Sequence, residues 1–435
     1  MRFIADFHIH SKYARATSKD MNLIALDHWA DDKGIQVMGT GDFTHPQYFK
    51  EIESQLEPAE PGLYTLKKSL KEKTVKGTFS DTRFMLTVEI SGIYTRAGKS
   101  HRIHNLIFTP DIATAKKINT GLSLIGNLKS DGRPILGLDS EELAKIVFNI
   151  NQKNVIVPAH AWTPWFSIFG SMSGFNSIEE CFGSYSKEIF AIETGLSSDP
   201  LMNWRLSALD DIALISNSDS HSAQRIGREA NIFDTELSYD HIINAIKEGR
   251  PNAREKGNGK EFLATIEFFP EEGKYHYDGH RDCGVVLHPD ETKKIKGVCP
   301  KCGKKLTIGV MNRVNELADR SKEDAKKVSS NRVPYKNLIP LDEIIAEAVG
   351  TGVGTKKVTA EYNTLIRTFK NELNALLNVN EKDIAEATNP RIAEGVRRVR
   401  NGNVNIVPGH DGEYGKISIF KNEERITAEN QKSLF

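Results

Sequence analysis

From Arg2 to about residue 265 the chain repeats one pattern: a short apolar run, a residue with metal-ligating chemistry close behind it, then a helical stretch. Phe3–Phe7, Ile35–Thr40, Phe84–Val88, Asn154–Val157, Ile189–Ile192 and Ile212–Ile215 read as buried strands, and Leu23–Lys33 reads as a helix between the first two. Strands alternating with helices predict an α/β fold with a parallel sheet. Folds of this class place their chemistry just beyond the strand ends.

The polar residues at those ends form a coherent set. His8 and His10 stand at i and i+2, so strand geometry points both imidazoles the same way. Asp42 and His45 follow the second strand, Glu89 ends Thr87-Val88-Glu89, and His104 lies in Arg102–Leu106. His160 ends Val155–Ala159, and Asp219 and His221 follow Ile212–Ile215. Nitrogen and oxygen ligands without thiolates suit zinc, manganese or iron. A metal makes hydroxide available near neutral pH and neutralises charge on a phosphoryl group. In-line attack on a phosphodiester is therefore the natural reaction class.

A second metal module follows. The four cysteines are Cys181, Cys283, Cys299 and Cys302, too few for a disulfide scaffold. Cys299-Pro300-Lys301-Cys302-Gly303 is a zinc knuckle, and Cys283 is its third ligand. The fourth is His280, at knuckle spacing from Cys283, or His288. The site is expected to be structural, and Cys181 is expected to be a buried apolar residue. The N-terminus lacks a signal-peptide layout and no run approaches a membrane span, so the expected location is the cytosol.

Formal net charge is zero, so any polyanion must be held locally. Lys293, Lys294, Lys296, Lys301, Lys304 and Lys305 lead into Arg313, Arg320, Lys322, Lys326, Lys327, Arg332 and Lys336, with Arg397, Arg398 and Arg400 further on. Basic clusters beside a zinc knuckle suit phosphate-backbone contacts. Trp162, Trp165 and Phe166 follow the ligand His160 directly and are expected to stack on bases. Leu341–Val349, Glu361–Leu377 and Asn389–Arg400 carry apolar residues at helical spacing, and Asn403–Val407 with Lys416–Phe420 read as a closing hairpin.

The ordered motifs His8-x-His10, Asp42 with His45, Glu89, His104, His160 and Asp219-x-His221 resemble those of the PHP (polymerase and histidinol phosphatase) superfamily. The resemblance implies a distorted (β/α)7 barrel holding two or three divalent metals, Zn2+, Mn2+ or Mg2+. One metal would fall to His8, His10, Glu89 and Asp219, and a second to Glu89, His104 and His160 with Glu89 bridging. A third would use His221 and a residue of the Asp42–His45 segment. Many members carry another histidine after His-x-His, where this chain has Ser11-Lys12-Tyr13-Ala14-Arg15.

Within that superfamily, Glu193–Pro200, Ser218–Ser222, the His280…Cys302 module and the helical tail are similar to the endonuclease Q family. That likeness implies a barrel over 1–268, a zinc-binding module over 269–312 and a helical, DNA-binding C-terminal domain over 313–435. It implies a DNA repair endonuclease cutting 5′ to deaminated bases (hypoxanthine, uracil, xanthine) and abasic sites, leaving a 3′-hydroxyl and a 5′-phosphate. His8, His10, Glu89, Asp219 and His221 would carry catalysis. Glu193 and Ser198 would join the three aromatic residues in binding substrate, with ligand support the other reading of Glu193. The tail residues Gln431, Leu434 and Phe435 resemble the start of a sliding-clamp (PCNA) binding motif. The rival readings are a small-molecule phosphatase and a non-catalytic nucleic-acid-binding protein.

Overall fold

Seven strands form the staves of a barrel: β1 (Arg2–Asp6), β2 (Val37–Gly39), β3 (Arg83–Arg96), β4 (Lys99–Thr109), β5 (Val155–Pro158), β6 (Ala191–Glu193) and β7 (Ala213–Ile215). This computed structural model describes residues 1–257, 259–421 and 424. β1–β2, β2–β3 and β6–β7 pair in parallel, whereas β3–β4 and β4–β5 are antiparallel. The sheet is thus mixed where the sequence suggested a parallel one. β3 and β4 form a long hairpin turning at Ala97-Gly98, which the periodicity reading did not find.

Strand alternation explains the two cores. Phe3, Ala5, Phe7, Val37, Met85, Leu106, Phe108, Val157, Ala191, Ala213 and Ile215 fill the barrel interior, so every stave contributes. The intervening residues Met38, Phe84, Leu86, Val88, Ile107, Ile156, Ile192 and Leu214 face outward into a second core. Burying an aliphatic or aromatic side chain contributes about 1.5–3 kcal/mol, and the two faces of each stave each gain this. Period 2 also carries the inner face upward: Met85, Thr87 and Glu89 share it on β3, as do Phe108, Leu106 and His104 on β4. Glu89 and His104 therefore sit mid-strand rather than at strand ends.

Between β7 and β1 the barrel closes by side chains and loops. The Phe7 amide donates to Asn217 Oδ1 (2.9 Å), the Ser218 amide to Asp6 Oδ1 (3.1 Å) and the His10 amide to the Ser220 carbonyl (2.9 Å). Asp6 also accepts from the Gly227 amide at 2.8 Å.

Helices α1 (Leu23–Lys33), α2 (Pro46–Gln55), α3 (Ile112–Ser123) and α4 (Ser140–Ile150) cover the outside. Asn22, Asp111 and Asp139 cap α1, α3 and α4 by accepting first-turn amides. β8 (Ala230–Asp234) and β9 (Phe262–Glu267) extend the sheet antiparallel from β1, and α5 (Tyr239–Glu248) closes the barrel base with Tyr239 and Ile242.

The expected boundary after residue 312 is not a break in packing. β10 (Tyr335–Asn337) pairs in parallel with β9, and helices α6 (Leu341–Val349), α7 (Lys356–Phe369), α8 (Glu372–Leu377) and α9 (Pro390–Arg400) share the outer core. The helix read as Glu361–Leu377 is two helices, broken where Lys370 adopts φ +74°. The closing hairpin pairs Asn405–Val407 with Lys416–Ser418. Among the described residues no helix is long and apolar enough to cross a membrane.

Two buried carboxyls beside the mouth ends of β6 and β7 have raised pKa values. Burial lifts Glu267 to about 8, while Glu229, buried near it, also stands well above the usual carboxylate range. Glu267 accepts from Thr265 Oγ1 (2.5 Å) and Thr194 Oγ1 (3.0 Å). A raised folded-state pKa gives stability that is full in acid and is lost as pH rises toward 8. Glu267→Gln mimics the protonated acid, with one acceptor oxygen, one donor and no charge. The variant should match the wild type in Tm at pH 5 and exceed it by a few degrees at pH 8.5; an equal gap at both pH values would contradict this account.

Candidate metal centre

The inner faces of the staves converge on two ligand groups at the barrel mouth. His8, His10 and Asp219 offer one set of atoms within 4.8 Å of one another, and Glu89, His104 and His160 offer a second. Glu89 lies between them. Its Oε1 is 2.7 Å from His104 Nδ1 and 3.0 Å from His160 Nε2, and its Oε2 is 3.3 Å from His10 Nε2. His8 Nε2 is 3.7 Å from Glu89 and 3.6 Å from Asp219, and His10 Nε2 is 3.1 Å from Asp219 Oδ1.

These groups fit divalent metals on chemical grounds. His8 Nε2, His10 Nε2 and Asp219 Oδ1 are buried and face one another and Glu89 without a well-aligned hydrogen bond. Polar atoms are left so only at a cost of about 1–3 kcal/mol each, which a shared cation would remove. The histidines' other ring nitrogens are already held. His8 Nδ1 faces Glu193 Oε1 at 3.0 Å, and His10 Nδ1 faces Asp42 Oδ1 at 3.1 Å. Carboxylates placed behind metal-ligating imidazoles fix their orientation and raise their basicity.

Electrostatics follow from burial in a dense carboxylate–imidazole cluster. Burial disfavours charge on His8, but Glu193, Glu89 and Asp219 outweigh it and raise its pKa well above the usual value; Asp42 does the same for His10. Burial lowers His104 to about 4, leaving it neutral and ready to ligate. Glu89 is held well below the carboxylate range despite burial, by His104, Arg133 and His8. Arg133 Nη1 lies 3.1 Å from Glu89 Oε2.

Strain marks the same positions. Asp42, His160, Asp219 and Phe166 all adopt positive φ (+45°, +29°, +45° and +64°), a conformation uncommon outside glycine. Gly195 (φ +65°) lies against His160: a Cβ there would stand 2.5 Å from the His160 Cβ.

Several expected roles change. Trp162 is fully buried, stacks near Phe169 and donates its indole N–H to Asn203 Oδ1 at 2.7 Å, so it is core and touches no substrate. Ser198 belongs to that internal network, donating to the Thr194 carbonyl (2.8 Å) and accepting from Asn203 (3.2 Å). Glu193 is also fully buried. It accepts from the His160 amide (2.7 Å) and Asn217 (2.9 Å) besides supporting His8, which leaves ligand support as its role.

The third ligand set is not gathered among the described residues. Asp42 is occupied by His10, by the Ser11 amide (2.6 Å) and by the Ser11 hydroxyl (2.7 Å). His45 stacks on Tyr13 with ring centroids 4.3 Å apart, and His221 turns Nδ1 toward the Asp219 carbonyl at 2.9 Å.

Trp165 and Phe166 do line a cavity of about 690 Å³ with His104, His160 and Asp219 on its wall. The same cavity is lined by Arg15, Arg102, Arg133, Lys274, Tyr275 and Tyr414, none of which carried a sequence signal. They come from loops far apart in the chain, which no local periodicity marks. Arg102 lies over the Phe166 ring and Lys274 over the Tyr414 ring, at 5.6 and 4.5 Å.

Away from the cavity, the Cys/His module is assembled from His280, Cys283, Cys299 and Cys302, whose ligand atoms lie within 4.8 Å of one another. That spacing matches tetrahedral zinc with bonds of about 2.0–2.3 Å. His288 instead caps a short helix through the Asp290 amide. The lysines at 293, 294, 296, 301, 304 and 305 are exposed. The arginines are mostly internal ties: Arg313 donates to the Phe169 carbonyl, Arg320 and Arg332 grip Asp210, Arg398 grips Glu394 and Glu424, and Arg400 donates to the Leu376 carbonyl. Gln431, Leu434 and Phe435 lie outside the described residues.

Residues 204–251 match the model of the PHP-associated family, and residues 340–403 match that of the MJ0043 C-terminal domain. The uncharacterized protein MJ0043 of Methanocaldococcus jannaschii is 33% identical over 66% of this chain and 35% of its own, so the chain spans about a third of that relative's length. The uncharacterized protein YqxK of Bacillus subtilis is 28% identical over 96% of this chain and 99% of its own. The crystal structure of the lesion-specific endonuclease PfuEndoQ from Pyrococcus furiosus superposes with a TM-score of 0.81 and 30% identity over the whole of both chains. The chain belongs to the endonuclease Q family. A second endonuclease Q structure, in complex with a 27-mer duplex carrying an abasic lesion at the active site, matches with a TM-score of 0.80 and 30% identity over 99% of this chain. The mixed α/β barrel, the helical C-terminal region and the Cys/His module are accordingly the endonuclease Q fold.

Glu193 supports His8 and the His160 amide together, so its loss should loosen both ligand groups. Glu193→Gln should weaken divalent-metal binding at the barrel by about 10–100-fold, read by calorimetry on protein with its Cys/His module intact. Unchanged affinity would contradict the supporting role.

Proposed function

We propose that this protein is a DNA repair endonuclease that hydrolyses the phosphodiester 5′ to deaminated bases and abasic sites. One observation carries the reading: members of both ligand groups (Asp219 of one, His104 and His160 of the other), the arginines and the aromatic rings line one cavity. Divalent metals at the two groups would activate a water and neutralise phosphoryl charge.

The chain's own residues supply the rest. Arg15, Arg102, Arg133 and Lys274 are placed to hold backbone phosphates, and guanidinium groups do so with two parallel hydrogen bonds. Trp165, Phe166, Tyr275 and Tyr414 offer faces and edges on which an extruded nucleotide would stack, worth about 1–3 kcal/mol per base. Glu193 and Asp42 hold the Nδ1 edges of His8 and His10, which leaves their Nε2 atoms facing Asp219 and Glu89. A nucleotide inside a duplex cannot reach a site at this depth, so the substrate would be one that leaves the stack cheaply, such as a mismatched, damaged or abasic position. The exposed lysines of the Cys/His module would hold the flanking duplex. A clamp contact through Gln431, Leu434 and Phe435 is supported by the sequence match alone.

The test is incubation with labelled duplexes that each carry one hypoxanthine, uracil, xanthine or abasic site, with Mn2+, Mg2+ or Zn2+. Cleavage on the 5′ side leaving a 3′-hydroxyl is expected, and His8→Ala should reduce it to background while DNA affinity stays within about threefold (~0.6 kcal/mol). Turnover of small phosphate monoesters with no cleavage of any duplex would favour the phosphatase reading instead.

A further inference from the structure

The Cys/His ligands lie outside the metal centre, yet one side chain, that of Asp411, ties their turn to the cavity lip. Asp411, at φ +42°, accepts from the Arg281 amide at 2.7 Å and from the Thr307 hydroxyl at 2.5 Å. Arg281 lies between the ligands His280 and Cys283, and Thr307 pairs across to Gly279. On the other side of Asp411, the Gly412 amide donates to the Lys274 carbonyl (3.0 Å) and His410 pairs with Glu413. Three residues after Asp411 comes Tyr414, 71% exposed, lining the cavity with Lys274 over its ring. Tyr275, from the turn leading into the module, packs edge-on against Trp165 at 5.6 Å on the same lip.

We propose that Asp411 is a positioning residue that couples the Cys/His module to the cavity lip, so that closure of the module sets where Tyr414 stands. The inference rests on the reading of the cavity as a nucleotide site. The module acts here through geometry rather than through charge. Its four ligands fix the turn that presents the Arg281 amide, that amide and Thr307 fix Asp411, and Asp411 fixes the strained turn that delivers Tyr414. An Asp411 that lost these two partners would leave the Tyr414 turn held by its backbone bonds to Glu271, Glu272 and Lys274 but no longer tied to the ligand-bearing turn at Arg281, while the ligand groups at the barrel mouth stayed in place.

The experiment compares wild type, Asp411→Ala, Tyr414→Ala, the double variant and Cys299→Ser on lesion-bearing duplex. Zinc content and the 19F resonance of 3-fluorotyrosine placed at position 414 are recorded on the same proteins, with the Tyr414→Ala forms excepted from the label. Asp411→Ala should keep its zinc, shift or broaden the fluorine resonance, and raise KM about tenfold with kcat within twofold, as expected from losing one stacking ring. Tyr414→Ala should give the same KM rise and the double variant no further rise. Cys299→Ser should lose zinc and reproduce the resonance of Asp411→Ala. Hydrolysis of bis(p-nitrophenyl) phosphate, which needs no lip, should be unchanged in Asp411→Ala. An unshifted fluorine resonance in Asp411→Ala, or additive KM effects in the double variant, would overturn the coupling. Wild-type protein that cuts no duplex would overturn the nucleotide-site reading, and the fluorine resonance would still decide the coupling by itself.

Discussion

Glu89 is a carboxylate with essentially no solvent contact, held on the inner face of a barrel whose lower levels are aliphatic and aromatic. An isolated ion in that position would cost several kcal/mol. Four imidazoles and Arg133 surround it, which keeps it ionised and makes it the common neighbour of both ligand groups. The rest of the site can be understood as what that anion requires. His104 and His160 face one oxygen and His10 the other, while Glu193 and Asp42 hold His8 and His10 from behind.

The barrel makes this possible by using one strand face for two purposes. Residues two apart on β3 and β4 run from Met85 and Phe108 in the apolar interior to Glu89 and His104 at the mouth. Stability and chemistry thus share a register, and a one-residue slip of β3 would expel Glu89 along with Met85. The closing seam works the same way. Asp6, Asn217 and Ser220 join β1 to the segment carrying Asp219, so the bonds that shut the barrel also set the distance from Asp219 to His8 and His10.

Much of this was legible in the sequence, for identifiable reasons. His8, His10, His160 and Asp219 follow short apolar runs, and strand periodicity alone places such residues at a mouth. Glu89 and His104 were found by residue type although their strands run on past them, because the β3–β4 hairpin is polar at its tip and breaks the apolar pattern. The errors share a cause. Trp162 was assigned to substrate by adjacency to His160 and Ser198 by likeness to the endonuclease Q motif, but burial is a property of packing that neighbours in sequence do not reveal; of the two readings kept for Glu193, burial favours ligand support. Arg313, Arg320 and Arg332 read as a basic surface, whereas their partners Phe169 and Asp210 come from more than 100 residues away. The cavity rim failed to register for the same reason, since Arg133, Tyr275 and Tyr414 meet only in three dimensions.

Glu89 is placed to join two metal positions. The direct measurement is metal content by plasma mass spectrometry after equilibration with Zn2+ and desalting, for wild type and Glu89→Gln. Three metals per wild-type chain are expected, two at the barrel mouth and one in the Cys/His module, and a single metal in the variant, removed from it only when Cys299 is also replaced. A Glu89→Gln protein that retained both barrel metals would contradict the joining role of Glu89.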